Sequence, residues 1–290
     1  MHQHLRKIVL LALGALLVIG VGPRADAQAD GPVTALVVRK VTADQATFEA
    51  TRDAYVADLE AQPGITADRE FEPFISFLTF SQPEPPVFIG MTSGTSLAEF
   101  QTAASSVDEA LTSAYFPTFE GEFFDLLTPL DGAPVDITRI ATEPGQVLEV
   151  AWRDLSSYDD FDQGAYETAR DAYLAALAEQ DGWLAEYQWV SATGQPFAVG
   201  MTVYESQEKF AAIATDADFT ASDVYQDFVG SYPIAGGYAS LSVKPAPGAP
   251  DELAFTGSSS TALAIVGATL FAGGGMMLAG ARRFRRVEAR

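Results

Sequence analysis

The sequence predicts an α+β fold made of two tandem units, each running β-α-β-β-α-β. The first observation behind this is an internal duplication. "RDAYVADLEAQPG" at 52–64 returns as "RDAYLAALAEQDG" at 170–182, an offset of 118. Further on, "PVFIGMTSGTSLAEF" is answered by "PFAVGMTVYESQEKF", so that Gly90-Met91-Thr92 matches Gly200-Met201-Thr202 at an offset of 110. The eight residues lost in between fall at "SQPEPP", a turn signal. A period of this length means a duplicated domain, since solenoid repeats are far shorter. The second observation is that hydrophobic spacing alternates between periods of two and 3.6 in the same order in both copies.

Each element follows in turn. An apolar strand ("ALVVRKV"; "LEVAWRDL") opens each unit, and the amphipathic helix carrying the duplicated segment follows. A strand, a turn, a second strand and helical pieces come next, and each unit closes on a last strand ("FFDLLTPL"; "GYASLSVK"). The first unit covers 33–132 and the second 146–244, joined by "DGAPVDITRIATEPG". That order is the ferredoxin-like arrangement, two helices on one face of an antiparallel sheet. The other face is expected to present Phe71 and Phe77 in one unit and Trp183 and Trp189 in the other. Such an apolar face needs a cover, which the second copy can supply as a pseudo-dimer. Element order, duplication and strand composition together resemble the dimeric α+β barrel superfamily, which includes antibiotic-biosynthesis-type monooxygenases and haem-degrading enzymes. The resemblance implies paired sheets and, as one possible activity, cofactor-independent monooxygenation.

Both ends of the chain carry export signals. "MHQHLRK", the apolar "IVLLALGALLVIGVG" and the small-x-small site Ala25-Asp26-Ala27 form a signal peptide over 1–27. At the other end come a proline-rich spacer at 245–252, "LAFTG" at 253–257, an uncharged run at 261–280 and a tail at 281–290 holding Arg282, Arg283, Arg285 and Arg286. The run is long enough to cross a bilayer as a helix, and the arginines hold the tail on the cytoplasmic side. Leu253-Ala254-Phe255-Thr256-Gly257, followed by the span and the basic tail, resembles the cell-wall sorting signal of Gram-positive bacteria in the LAxTG form of many actinobacteria. The resemblance implies a sortase that recognises Leu253 and Ala254, cuts between Thr256 and Gly257, and joins the threonine to an amine of the peptidoglycan. It therefore implies a cell-wall location, reached through a single-pass membrane precursor; a plain membrane anchor is the alternative.

Between those ends, Gln28 to Thr256 holds nine Lys and Arg against 37 Asp and Glu, a net charge of −28. Nucleic acid and anionic lipid surfaces are thereby poor partners. There is no cysteine, so neither a disulfide nor thiol chemistry is available. Both histidines, His2 and His4, lie in the signal peptide. A Ser-His-Asp triad, a histidine-ligated zinc site and a histidine-ligated haem are therefore excluded, and no cofactor is expected.

Candidate site residues come from the duplicated helix and from the tryptophans. On a helical wheel Phe48, Arg52, Tyr55 and Leu59 form one stripe, and Tyr166, Arg170, Tyr173 and Leu177 form its copy. A cation beside a phenol can hold an anionic or enolate-like ligand, which makes Arg170 and Tyr173 the catalytic candidates; alternatively, Arg52 and Arg170 pair with carboxylates, Glu149 among them. Trp152, Trp183 and Trp189, with Tyr187, all lie in the second unit and are candidates to line a pocket for a flat apolar ligand. Asp159, Asp160 and Asp162 in "YDDFDQG" are a calcium candidate, with acids favoured by the N-terminal dipole of the following helix as the alternative. The expected function is binding of a small apolar molecule or wall component without catalysis. A cofactor-independent monooxygenase and a purely structural surface module are the alternatives.

Overall fold

The computed structural model describes residues 31–244. The signal peptide, spacer, LAFTG motif, apolar span and basic tail lie outside the described residues. Among the described residues no helix is long and apolar enough to cross a membrane.

The first unit consists of β1 (Val33–Val41), α1 (Gln45–Glu60), β2 (Ile65–Ser76), β3 (Val87–Gly94), α2 (Leu97–Ser106), α3 (Glu109–Tyr115) and β4 (Phe119–Pro129). The second consists of β5 (Val147–Asp154), α4 (Gln163–Ala178), β6 (Trp183–Ser191), β7 (Phe197–Tyr204), α5 (Gln207–Thr215), the short α6 (Ala217–Thr220) and α7 (Asp223–Tyr225), and β8 (Gly236–Lys244). The duplicated helices start alike: the Asp44 carboxylate accepts from the Thr47 N–H before α1, and Asp162 accepts from Ala165 N–H before α4. Gly64 and Gly182 follow the two helices at φ of 89° and 94°, a left-handed turn that glycine adopts without strain.

Strand order within the units is β4-β1-β3-β2 and β8-β5-β7-β6, and all eight strands close into one barrel. The units therefore do more than cover each other's faces; their edges are hydrogen-bonded. The two seams differ. β2 pairs with β8 from Glu70↔Lys244 to Ser76↔Tyr238, whereas β4 pairs with β6 only from Leu127↔Ser191 to Pro129↔Trp189.

The barrel interior is filled. Leu36, Val38, Phe71, Ile89, Met91 and Leu127 of the first unit interdigitate with Leu148, Val150, Trp152, Trp189, Val199 and Met201 of the second. The connector folds across one end, putting Ile137 and Ile140 into the same core. Arg69, fully buried, ties it down by donating to the carbonyls of Ile137 (3.1 Å), Ile140 (2.7 Å) and Ala141 (3.1 Å). Two of the four aromatics expected on this face lie elsewhere. Phe71 and Trp189 are inside the barrel, but Phe77 and Trp183 join the cluster beneath the helices. Phe77 comes after the last residue of β2, and an irregularity between Trp183 and Ala185 breaks the alternation of faces.

Candidate functional site

The informative surface is the helix-facing side of each sheet, because the register lets the two units be compared position by position. Val37 pairs with Gly90 and Ala151 with Gly200; Glu70 pairs with Gly90 and Gln188 with Gly200. With the two glycines equated, Ala35 corresponds to Glu149, Arg39 to Arg153, Asp68 to Glu186, Glu70 to Gln188, and Thr92 to Thr202.

In the first unit Asp68 and Glu70 on this face each have a cation. Arg39 donates to both Glu70 oxygens, at 2.5 and 2.6 Å, and to the Tyr115 hydroxyl. Its guanidinium lies so close over Gly90 that a Cβ there would stand 2.5 Å from Nη2. Burial opposes the charge on Arg39, but Glu70 and Tyr115 more than offset it, and the guanidinium pKa stands above its usual value. Arg52 adds a contact to Glu70 at 3.8 Å, and Lys244 Nζ lies 3.0 Å from Asp68, which also accepts from the Thr92 hydroxyl at 2.7 Å. Asp68, Glu70 and Gly90 are all buried.

In the second unit one carboxylate is kept, one is lost and one is gained, and neither glutamate on this face is paired with the arginine that the unit retains. Gln188 replaces Glu70, and Leu130, whose N–H donates to the Gln188 carbonyl, stands at the seam position that Lys244 holds opposite Glu70. Arg153 is turned away: its Nε donates to the Tyr232 carbonyl at 2.8 Å, and its guanidinium lies 4.2 Å from the centre of the Phe228 ring. Glu149 accepts from the Tyr204 hydroxyl at 2.6 Å, and Glu186 accepts from the Thr202 hydroxyl and the Gln188 amide. Among the described residues neither glutamate is in an ion pair.

Burial pushes the Glu186 carboxyl up to about 8, with Glu149 adding to the rise and hydrogen bonds from Thr202 and Gln188 opposing it. Burial likewise raises Glu149, against the Tyr204 hydrogen bond and the more distant Arg153 charge. Protein surrounds both groups, yet Glu149, Glu186, Gln188 and Gly200 are all part-exposed, so they line a cleft that solvent enters between sheet and helices. Tyr173 projects from α4 at this level, with its ring centre 5.1 Å from that of Phe228 and 6.0 Å from that of Tyr225. Burial followed by the nearby Glu149 carries the Tyr173 hydroxyl well above the usual tyrosine range. At neutral pH the Glu186 carboxyl, raised to about 8, and the phenols can act as hydrogen-bond donors here, and the Arg153 charge, acting on both glutamates without pairing with either, partly offsets the cost of their ionisation.

The residues singled out from sequence are only partly brought together. Tyr173 reaches the cleft. Arg170 pairs with Asp171 at 2.7 Å, not with Glu149, and Arg52 pairs with Asp53 and Glu70. Tyr55 packs on Tyr115, with ring centres 5.0 Å apart. Trp152 and Trp189 are barrel core, Tyr187 borders that core, and Trp183 lies beneath the helices, so no single aromatic wall forms. Asp162 caps α4 as described, and among the described residues no group of three or more His, Cys, Asp or Glu is placed to hold a metal, Asp159 and Asp160 included. Glu186 and Gln188 were absent from the sequence candidates.

A second cavity of about 710 Å³ opens at the barrel mouth under the β2–β3 loop. Lys40, Glu84, Glu120 and Glu122 stand around it, and the Tyr238 hydroxyl donates to Glu122 at 2.6 Å across its floor. Glu84, Glu120 and Glu122 are exposed, whereas Ser76 and Tyr238 in its lining are buried.

No protein-family model matches the sequence, and no curated protein matches it. Among solved structures the chain is similar to an anthrone oxidase-like protein, at 14% identity and a TM-score of 0.48, over 75% of this chain and 92% of that one. It is also similar to a chlorite dismutase variant from Candidatus Nitrospira defluvii in complex with cyanide, at 10% identity and a TM-score of 0.44, over 88% of this chain and 99% of that one. A DypB variant from Rhodococcus jostii in complex with heme matches at 9% identity and a TM-score of 0.42, over 76% of this chain and 95% of that one.

Proposed function

We infer that the protein is exported, anchored to the cell wall through Thr256, and uses the helix–sheet cleft of its second unit to bind a small molecule or a small group of a wall component, without converting it. The observation that carries the binding reading is the part-open cleft around Glu149, Glu186 and Gln188, where the matching surface of the first unit is sealed by its own ion pairs. Natural chains rarely keep an unneutralised carboxyl pair in a concave, solvent-reached place without a use for it. The barrel interior is filled, so a ligand is held either in this cleft or in the cavity at the barrel mouth. The cleft lining shifts the expected ligand from purely apolar to one with an aromatic or apolar body and a polar head. The monooxygenase alternative placed Arg170, Tyr173 and the tryptophans around one substrate; Tyr173 and Trp183 border one cluster beneath the helices, but Trp152 and Trp189 lie inside the barrel.

Two experiments test the two halves of this reading. Fractionation of cells carrying Thr256→Ala is expected to move the protein from the wall to the membrane; identical fractionation of wild type and variant would leave a plain anchor. For the cleft, a set of small aromatic amines, amides and acids is titrated into the labelled chain, with backbone amide shifts as the readout. Shifts at Glu149, Gln188 and Gly200 support the site. Silence there with every probe leaves the purely structural module.

A further inference from the structure

The short seam leaves one strand of the barrel unfinished. β4 pairs with β1 from Val41↔Phe119 to Thr34↔Leu127, but on its other side it meets β6 only from Leu127 onward, after the Ala192 N–H reaches the Leu126 carbonyl at 2.7 Å. From Phe119 to Asp125 no strand stands along the outer edge of β4 among the described residues. Alternate residues of a strand direct their N–H and C=O groups to the same side, so Phe124 aims both into that gap, as Leu126 does toward β6. The Phe124 side chain is 45% exposed.

The two faces of this free edge differ in chemistry. Phe123 lies in the barrel core, and Phe124, two residues from the helix-packed Leu126, faces the helix side. On the barrel side Glu120 and Glu122 stand in the wall of the 710 Å³ cavity at the mouth, with Glu84 and the 54% exposed Leu78 contributed by the β2–β3 loop. The Tyr238 hydroxyl donates to Glu122 at 2.6 Å and holds that carboxylate toward the cavity. Among the described residues none of these three glutamates is in an ion pair, and Lys40 is the single cation in the cavity wall.

We propose that the free edge of β4 takes an extended peptide of a partner as an added strand, with lysine or arginine at alternate positions facing the mouth cavity and apolar residues between them facing Phe124. Backbone pairing at Phe124 fixes the strand, and Glu84, Glu120 and Glu122 select its cations. Charge decides against a second copy of this chain as the occupant. Two such edges would set glutamate beside glutamate, on chains whose segment from Gln28 to Thr256 carries a net charge of −28. The glutamates that keep copies apart admit a basic strand, and the acidic surface draws it in from a distance. This site shares no residue with the cleft of the second unit and stands whether or not that cleft binds a ligand.

The test uses the full chain in detergent micelles and capped hexapeptides that alternate valine with lysine or valine with glutamate. The valine–lysine peptide is expected to shift the amides from Glu120 to Phe124, to slow hydrogen exchange at the Phe124 N–H, and to bind at least about tenfold more tightly than the valine–glutamate peptide. Methylating every second backbone nitrogen of the valine–lysine peptide gives two phases. The phase whose N–H groups face β4 is expected to lose binding and the other to keep it within about threefold, since only one set can reach the edge. Glu84→Gln combined with Glu120→Gln is expected to remove most of the preference for lysine. Equal binding of the lysine and glutamate peptides, or equal effects of the two methylation phases, overturns the proposal. Lysine amide binding as tightly as the peptide overturns it too, leaving a cation pocket without an added strand. Self-association of the chain through Glu120 to Phe124 in the absence of peptide gives the edge to a second copy instead. Silence at these amides with every peptide removes the site, whatever the cleft of the second unit binds.

Discussion

Two copies of one β-α-β-β-α-β unit have solved the same problem in opposite ways. The central helix-facing strands of the first unit carry Arg39, Asp68 and Glu70, fully buried and mutually neutralised, with Lys244 reaching in from the neighbouring strand. Those of the second unit carry Glu149, Glu186 and Gln188, part-exposed and without an ion pair among the described residues. Fold and register are shared, so the difference comes from a few side chains: Glu70 against Gln188, Ala35 against Glu149, and a lysine against Leu130 at the seam. A duplicated scaffold can thus hold one unit as a rigid wall while the other keeps a solvated, unneutralised recess. Burying unlike charges together locks a surface, whereas burying like charges leaves them dependent on protons or on an outside ion.

The sharpest way to break the comparison is to remove the matching arginine from each unit. Arg39→Met strands Glu70 in a fully buried place and is expected to cost about 3–5 kcal/mol of unfolding free energy. Arg153→Met loses one hydrogen bond to a carbonyl and a ring contact, about 1–2 kcal/mol. Urea unfolding of both variants checks this, and adding Glu70→Gln to the first should recover much of its loss. Equal costs in the two units would mean that Arg153 neutralises the second-unit carboxylates after all.

Stability against pH separates the units next. The Glu186 pKa is raised on folding, from 4.5 to about 8, so its contribution is fully present below about pH 4.5 and is lost as pH rises toward 8. Between those values the protein is expected to lose roughly 3 kcal/mol through this group, less than the full shift would give because solvent reaches it. Glu186→Gln should remove most of that slope in thermal melts between pH 5 and 9. A slope unchanged in the variant would place the titrating group elsewhere.

The matched glycines give a smaller effect. A Cβ at Gly90 would meet the Arg39 Nη2 at 2.5 Å, and that guanidinium is clamped, so Gly90→Ala is expected to cost about 1–3 kcal/mol through overpacking. At Gly200 the nearest atom is the Gln188 side-chain nitrogen at 3.0 Å, the far end of a flexible side chain held only by its hydrogen bond to Glu186, and Gly200→Ala is expected to cost less than about 1 kcal/mol. Melting curves of the two variants decide the order.

Much of this was legible beforehand and part of it was not, for identifiable reasons. The repeated "RDAY" helix and the shared Gly-Met-Thr strand gave the two units and their element order, and the stripes of Phe48 and Leu59 or Tyr166 and Leu177 do face the sheets. Edge pairing of β2 with β8 and of β4 with β6 was not legible, because alternation reports which face is apolar and says nothing about which edge finds a partner. The tryptophans drew attention as a pocket wall because all three fall in one unit, yet Trp152 and Trp189 point into the barrel. Glu186 sits between aromatics in "WLAEYQWVS" and reads as an ordinary outward strand residue. Part of its signal lay in the copy itself: aligning the two units puts Gln188 at Glu70, Glu149 at Ala35 and Leu130 at Lys244, while the different anchoring of the retained Arg153 shows only in the structure.

The finest test restores a deleted cation. Lys244 and Leu130 stand at matching places on the two seams, Lys244 opposite Glu70 and Leu130 opposite Gln188, and in the first unit the lysine Nζ reaches Asp68 at 3.0 Å. Leu130→Lys should therefore bring an ammonium toward Glu186 and favour its ionised form. Because Leu130 is part-exposed, the new charge is partly screened, and a fall of about one pH unit in the Glu186 midpoint is expected from a single nearby cation. Titration of the labelled side-chain carboxyl by NMR reads this directly, with the stability of the variant changed by less than about 1 kcal/mol. If the midpoint does not fall, the seams are not equivalent in reach, and the mismatch between the long β2–β8 seam and the short β4–β6 seam extends to the side chains that cross them.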